Sequence, residues 1–327
     1  MSPTQLPSTT SWRTLKVRFI TDDKDVEKLV LSQLDVVLDK PTILPEHVYL
    51  TSPVRIHRVS DVMKADLDLV YNAQTKKLNV FPCGAYLGFA LYMPRLPISF
   101  DHHALRQQYG GGASALPPLA AYIMDAARAC AIIKHSNERS GPRDIRSDVT
   151  VWMSVVASGP ENPEQLPVSP RRDMIPGGTV QEKHRSRGQN IGWGVNPKDG
   201  YAVTVMSHAK LHGGLHVALV RIDSATLKPE LILNARVEAC GEQLLSASDA
   251  QGNVQGILRF AYHDELPFNV DLVYVVLSTE RIDTISEMLL EEKAWDALYI
   301  RVACCPRTGP KKLDPATVLE NTKKLYL

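Results

Sequence analysis

The most enzyme-like group in the sequence is Asp101-His102-His103. A carboxylate beside two imidazoles can ligate a divalent ion. The other reading of the trio is a polar turn or surface cluster, in a chain with ten histidines. Gly110-Gly111-Gly112-Ala113-Ser114 precedes a predicted helix, where a glycine loop can cradle phosphate. No Gly-Lys-Ser or Gly-Lys-Thr follows, so it reads as a connector. Gly-x-Ser-x-Gly is absent, and a hydrolase elbow has no support. Cys130 and His135 have no orienting partner nearby in sequence; they read as a core thiol and a surface imidazole.

Charge suggests a different chemistry. The 37 Lys and Arg and 36 Asp and Glu leave +1, which argues against a wholly basic nucleic-acid coat. The distribution is uneven. Residues 128–146 hold five bases and two acids, as do residues 171–187, so each block is +3. The second block comprises Arg171, Arg172, Lys183, Arg185 and Arg187 and lies in a Pro- and Gly-rich stretch. Long cationic side chains there suit phosphate contacts, which need charge more than fixed geometry and weaken as salt rises. Trp193, with Tyr201 nearby, offers a stacking surface for unpaired bases. The bland reading is a solvated loop. Residues 264–296 carry nine acids and two bases, so nucleic-acid binding would be one-sided.

The elements that must position these groups come from a chain of 327 residues, 44% apolar and 22% charged, which is globular composition. No apolar run is long enough to span a membrane, and residues 1–11 lack the pattern of a secretory signal. The five cysteines form no CxxC pair and read as buried free thiols of a reducing compartment. An intracellular protein, with at most peripheral membrane contact, is expected. Leu15–Ile20 alternates as a strand, and Asp22 or Asp25 is expected to cap a short helix through Leu38, with strand as the alternative because of Val36-Val37-Leu38. His47 to Val59 reads as extended, Asp66–Tyr71 and Leu78–Phe81 as a hairpin, and Tyr86–Met93 as a further strand. Leu116–Ile133, rich in Ala and opened by Pro117 and Pro118, is the one clear helix. Val149–Ala157 is a strand, and residues 158–200 read as a long loop. Strands then follow at Tyr201–Met206, Leu215–Ile222, Leu231–Glu238, Val254–Tyr262, Val270–Leu277 and Leu298–Cys304, with a helix over Glu280–Trp295. The fold class is α+β, mostly β: an antiparallel β-sandwich or jelly-roll-like C-terminal part after a mixed N-terminal part with one clear helix. The expected regions are a mixed part (1–148), a strand with its basic loop (149–200), a sandwich core (201–306) and a surface tail (307–327).

Two family resemblances bear on function. Asp101-His102-His103 resembles the Asp-His-His motif of a phosphoesterase family that binds paired Mn²⁺ or Mg²⁺ ions. The acidic stretch at Asp22 lacks the small residues and long helix that family places next, and His212-Gly213-Gly214-Leu215-His216 is similar only in outline to its C-terminal glycine–histidine element. The second resemblance covers residues 201–305, about a third of the chain. There the segment from His212 to Asp223 resembles the glycine-preceded apolar strand, ending in a characteristic aspartate, of the plant-virus movement proteins grouped as the 30-kilodalton superfamily. Leu231-Ile232-Leu233-Asn234-Ala235, the run from Gly256 to Tyr262, and Leu298-Tyr299-Ile300-Arg301-Val302 are similar to later strands of that core. The sequence departs from the pattern in two places. Asp223 lies further from the Leu219-Val220 pair than is usual, and a Pro-aromatic pair appears only as Pro267-Phe268. The resemblance implies a non-enzymatic viral protein without cofactors. It would bind single-stranded nucleic acid or viral nucleoprotein, associate with itself, and act in the host cytoplasm and at the cell junction, the plasmodesma. Asp223 would be structural or interfacial. The alternatives are a metal-dependent phosphoesterase using Asp101, His102 and His103, and a viral shell or matrix protein of the same β architecture.

Overall fold

The computed structural model describes residues 14–34, 54–61, 65–75, 77–82, 98–99, 118–137, 149–158, 171–176, 193–195, 199–207, 215–223, 226–238, 242–245, 247–248, 254–261, 269–290 and 295–304. The chain divides into two units, Met1–Ala90 with Pro97–His135 and Leu91–Leu96 with Ser136–Leu327.

In the first unit, β1 (Thr14–Ile20) buries Leu15 and Val17 and exposes Lys16, as its alternation predicts. It leads into α1 (Lys24–Leu34). The helix cap is Asp23, not Asp22 or Asp25: its Oδ1 accepts the amides of Asp25 and Val26 at 3.0 and 3.1 Å. Val26 and Val30, one turn apart, are the residues α1 buries most deeply. Then come β2 (Arg55–Arg58), β3 (Leu67–Asn72), β4 (Lys77–Pro82) and β5 (Ile98–Ser99), in the sheet order β2-β1-β3-β4-β5. β1 runs parallel to β2 and β3, while β4 is antiparallel to β3 and β5. The β3–β4 turn closes on Asn72, whose Oδ1 accepts the amides of Gln74 and Thr75.

α2 (Pro118–Asn137) starts with proline at its first position and runs about one turn past the predicted end. It buries Leu119, Ile123, Ala127 and Cys130, and its last turn is buried as well. Cys130 is a buried free thiol, as its surroundings predict, but His135 is buried rather than at the surface. Within that turn the buried Lys134 is satisfied, because its Nζ donates to Asp66 Oδ2 at 2.7 Å and to the Thr14 carbonyl at 2.9 Å.

The second unit is a sandwich. Its strands are β6 (Val149–Ser158), β7 (Arg171–Pro176), β8 (Trp193–Val195), β9 (Asp199–Ser207), β10 (Leu215–Asp223), β11 (Lys228–Val237), β12 (Glu242–Leu245), β13 (Ala247–Ser248), β14 (Val254–Gln255), β15 (Asn269–Ser278) and β16 (Trp295–Cys304). One sheet has the order β12-β9-β6-β7 and the other β11-β10-β15-β16-β8; β13 and β14 pair separately. Every pairing in the two large sheets is antiparallel except that of β8 with β16. Val151, Met153, Val203 and Val205 of the first sheet share one core with Val217, Leu219, Val273, Val275 and Ile300 of the second. The fold is α+β and mostly β, as expected.

Three local expectations fail. The stretch 158–200 carries β7 and β8, both short edge strands with too few apolar positions to announce themselves. Val254–Tyr262 is not one strand. Gly256 takes a φ of 84°, which ends β14, and Leu258 forms an isolated bridge with Tyr201. The helix over Glu280–Trp295 shrinks to α3 (Ile285–Met288), capped by Thr284. Trp295 instead opens β16 and donates its Nε1 hydrogen to the Met288 carbonyl at 2.7 Å. The predicted strand Tyr86–Met93 lies outside the described residues.

Candidate nucleic-acid interface and an embedded carboxylate pair

β7 is the edge strand beside β6, and β8 is the edge strand beside β16. β6 and β16 approach each other across the sandwich, while β11 approaches β9 and β12 on the other side. The two edges therefore share one flank. Residues 177–192, which carry Lys183, Arg185 and Arg187, join β7 to β8 and lie outside the described residues. Arg171 and Arg172 are the first residues of β7, and Trp193 is the first of β8. Five basic positions and one tryptophan, noted in sequence as one stretch, thus begin and end on one side of the unit.

Two neighbouring expectations are corrected. Tyr201 cannot stack on bases, because it is only 4% exposed and its ring lies 5.6 Å from that of Phe260. In the basic block at 128–146, Arg128 and Lys134 are buried and engage Asp125 and Asp66, while Arg139, Arg143 and Arg146 lie outside the described residues.

A second constellation was only half visible in sequence. Asp223 ends β10, and the antiparallel register sets Asp271 of β15 directly opposite it. Opposed residues lie on the same face of a sheet, their Cβ atoms about 4.5–5.5 Å apart. Arg221, two residues earlier, is on that face too, opposite Val273 of the shared core. Its Nε lies 3.6 Å from Asp271 Oδ2 and its Nη2 lies 3.8 Å from Glu230 Oε2. Its Nη1 donates to the Arg259 carbonyl at 3.0 Å. Thr226 Oγ1 donates to Asp223 Oδ2 at 2.9 Å.

Asp271 is 6% exposed. Burial first, and the Asp223 carboxylate second, push its carboxyl from 3.8 up to about 7, against the pull of Arg221. The guanidinium does not prevail because it stands beyond hydrogen-bond length and is shared among several acceptors. In the sequence Asp223 stands out as a strand-end aspartate, with nothing to mark the acid that faces it. The available signal was Asp271 itself, a lone carboxylate in the apolar run Val270-Asp271-Leu272-Val273.

The metal alternative is positioned only in part. Ile20 lies beside Val70, Asn72 beside Lys77, and Lys77 beside Ser99. β1, β3 and β5 therefore leave the sheet at one end, which carries Asp22 and Asp23. Asp101, His102 and His103, just past β5, lie outside the described residues. Among the described residues, no group of three or more His, Cys, Asp and Glu could hold a metal ion. No helix among them is long and apolar enough to cross a membrane. Compared with protein-family models, curated proteins and solved structures, the chain matches none.

Proposed function

We propose that the chain is a non-enzymatic, movement-type protein that binds single-stranded nucleic acid along the β7/β8 flank of its sandwich and associates with copies of itself. What carries this reading is the shared flank. A basic segment that starts on the edge of one sheet and ends on the edge of the other can lay several cations along a phosphate backbone. Trp193 at its far end supplies a stacking surface. The resemblance of residues 201–305 to the 30-kilodalton superfamily agrees with a sandwich that assembles and carries. It would set the site of action in the host cytoplasm and at the cell junction, with nucleoprotein and peripheral membrane as further contacts. Asp223 then holds the rim of the sandwich together. The near-neutral total charge lets copies pack side by side with little net repulsion.

The test is a salt titration of single-stranded RNA binding by the full chain. Replacing Arg171, Arg172, Lys183, Arg185 and Arg187 by Gln should reduce the slope of log affinity against log salt by about 0.7 per lost contact. Trp193→Ala should weaken binding by about 1–3 kcal/mol at unchanged slope. Absence of binding at low salt ends this reading. The phosphoesterase reading draws support from the common end at which β1 and β5 leave their sheet. Bound Mn²⁺ or Mg²⁺ in purified protein, lost in His102→Ala, would favour it. Closed assemblies formed without nucleic acid would favour a shell or matrix role.

A further inference from the structure

We propose that Asp271, set opposite Asp223, keeps a proton in the folded chain, and that losing it loosens the rim of the sandwich where β10, β15 and residues 256–261 meet. This inference does not rest on the nucleic-acid reading. It starts from the register, which puts two carboxylates opposite each other at the end of an apolar face. Two like charges this close, one of them buried, do not both ionise cheaply.

The charged surroundings do not relieve the conflict. β10 contributes Arg221 besides Asp223. β11 contributes Lys228, opposite Asp223 and exposed, and Glu230, opposite Arg221 and more than half exposed. β16 sets the apolar Val302 opposite Asp271. Tyr201 of β9 packs its ring on Phe260. The 256–261 segment adds Arg259, exposed in its side chain, whose carbonyl accepts from Arg221. Arg221 is thus the one cation within 4 Å of Asp271 among the described residues, and it is committed elsewhere as well.

With the proton in place, Arg221 is free to hold the Arg259 carbonyl, and the segment stays on β9 through the paired amides and carbonyls of Tyr201 and Leu258 at 2.8 and 3.0 Å. With the proton gone, the ionised Asp271 draws Arg221 toward itself and away from that carbonyl. The sign follows from linkage. The folded chain binds this proton more tightly than the unfolded chain does. The stability it contributes is complete below about pH 4 and is lost as pH rises through about 7.

The experiment uses the full chain. The side-chain carboxyl carbon of Asp271 is followed by NMR against pH, and exchange of the Leu258 amide reports whether the rim is closed. In the wild type the carbon should titrate near pH 7, and Leu258 protection should fall over the same range. Asp223→Asn should move the Asp271 midpoint to lower pH. In Asp271→Asn, Leu258 protection should not change with pH beyond the intrinsic chemistry of exchange. An Asp271 carbon that titrates at an ordinary carboxylate pH overturns the retained proton. Leu258 protection that does not follow the titration in wild type, or that still falls in Asp271→Asn, overturns the coupling. If Asp271→Asn does not fold, the wild-type and Asp223→Asn measurements decide both points.

Discussion

The two units bury carboxylates to nearly the same depth and treat them in opposite ways. Asp66 and Asp68 of the first unit are 9% and 7% exposed, and Asp271 of the second is 6% exposed. Asp66 Oδ2 accepts from the Lys134 ammonium at 2.7 Å and from the Lys16 amide at 2.8 Å. Asp68 meets Arg18 through both oxygens, as two parallel bonds. Each acid there has a cation at hydrogen-bond distance. Asp271 has a guanidinium 3.6 Å away that also serves Glu230 and a carbonyl, and it faces a second carboxylate. Depth alone therefore does not decide how a buried acid behaves; the donors it can saturate do.

This comparison breaks first at Lys134. Replacing it by Met keeps the bulk of the helix side chain but leaves Asp66 buried without its cation. A loss of about 3–5 kcal/mol is expected from denaturant unfolding. A loss below about 1 kcal/mol would mean that water reaches Asp66 and that its site is not dry.

Arg18→Met removes both bonds to Asp68, which is a little less enclosed on the arginine side, so a smaller loss of about 2–3 kcal/mol is expected by the same measurement. Asp271→Asn should act with the opposite sign. At pH 8 the wild type carries an ionised, desolvated carboxylate, so the amide should raise stability by on the order of 2 kcal/mol. The gain should shrink steadily as pH falls from 7, and below about pH 4, where the unfolded chain also holds the proton, the two chains should be nearly equal. Thermal unfolding at both values checks it, and an equal effect at both would show that the substitution acts through packing rather than charge.

The strands that a reader of the sequence can find are those whose alternation or apolar run is long. β1, the β3–β4 hairpin, β6, β9, β10 and β15 all fall where Leu, Val and Ile recur. β7 and β8 escape because an edge strand has no need of apolar residues on both sides. The predicted helix before β16 fails at Trp295, whose ring finds a partner in the Met288 carbonyl that no local propensity foretells. The candidate flank was legible as charge and composition, but not as the meeting of two sheet edges. The carboxylate pair was illegible for a plainer reason: Asp223 and Asp271 are far apart in sequence, and only the register of β10 on β15 joins them.

The smallest effect is expected where the distance would suggest a large one. Arg58 Nη2 lies 2.7 Å from Glu27 Oε1, the same separation as Lys134 from Asp66. The side chains of Arg58 and Glu27 are 48% and 37% exposed, whereas those of Lys134 and Asp66 are 7% and 13% exposed. Water and salt screen the first pair, and ordering two long side chains offsets most of its attraction. Arg58→Ala should therefore change unfolding stability by no more than about 0.5 kcal/mol, and raised salt should shrink even that. If it instead costs as much as Lys134→Met, equal distance would mean equal energy. Solvent exclusion would then not be what separates the paired acids of the first unit from an ordinary surface contact.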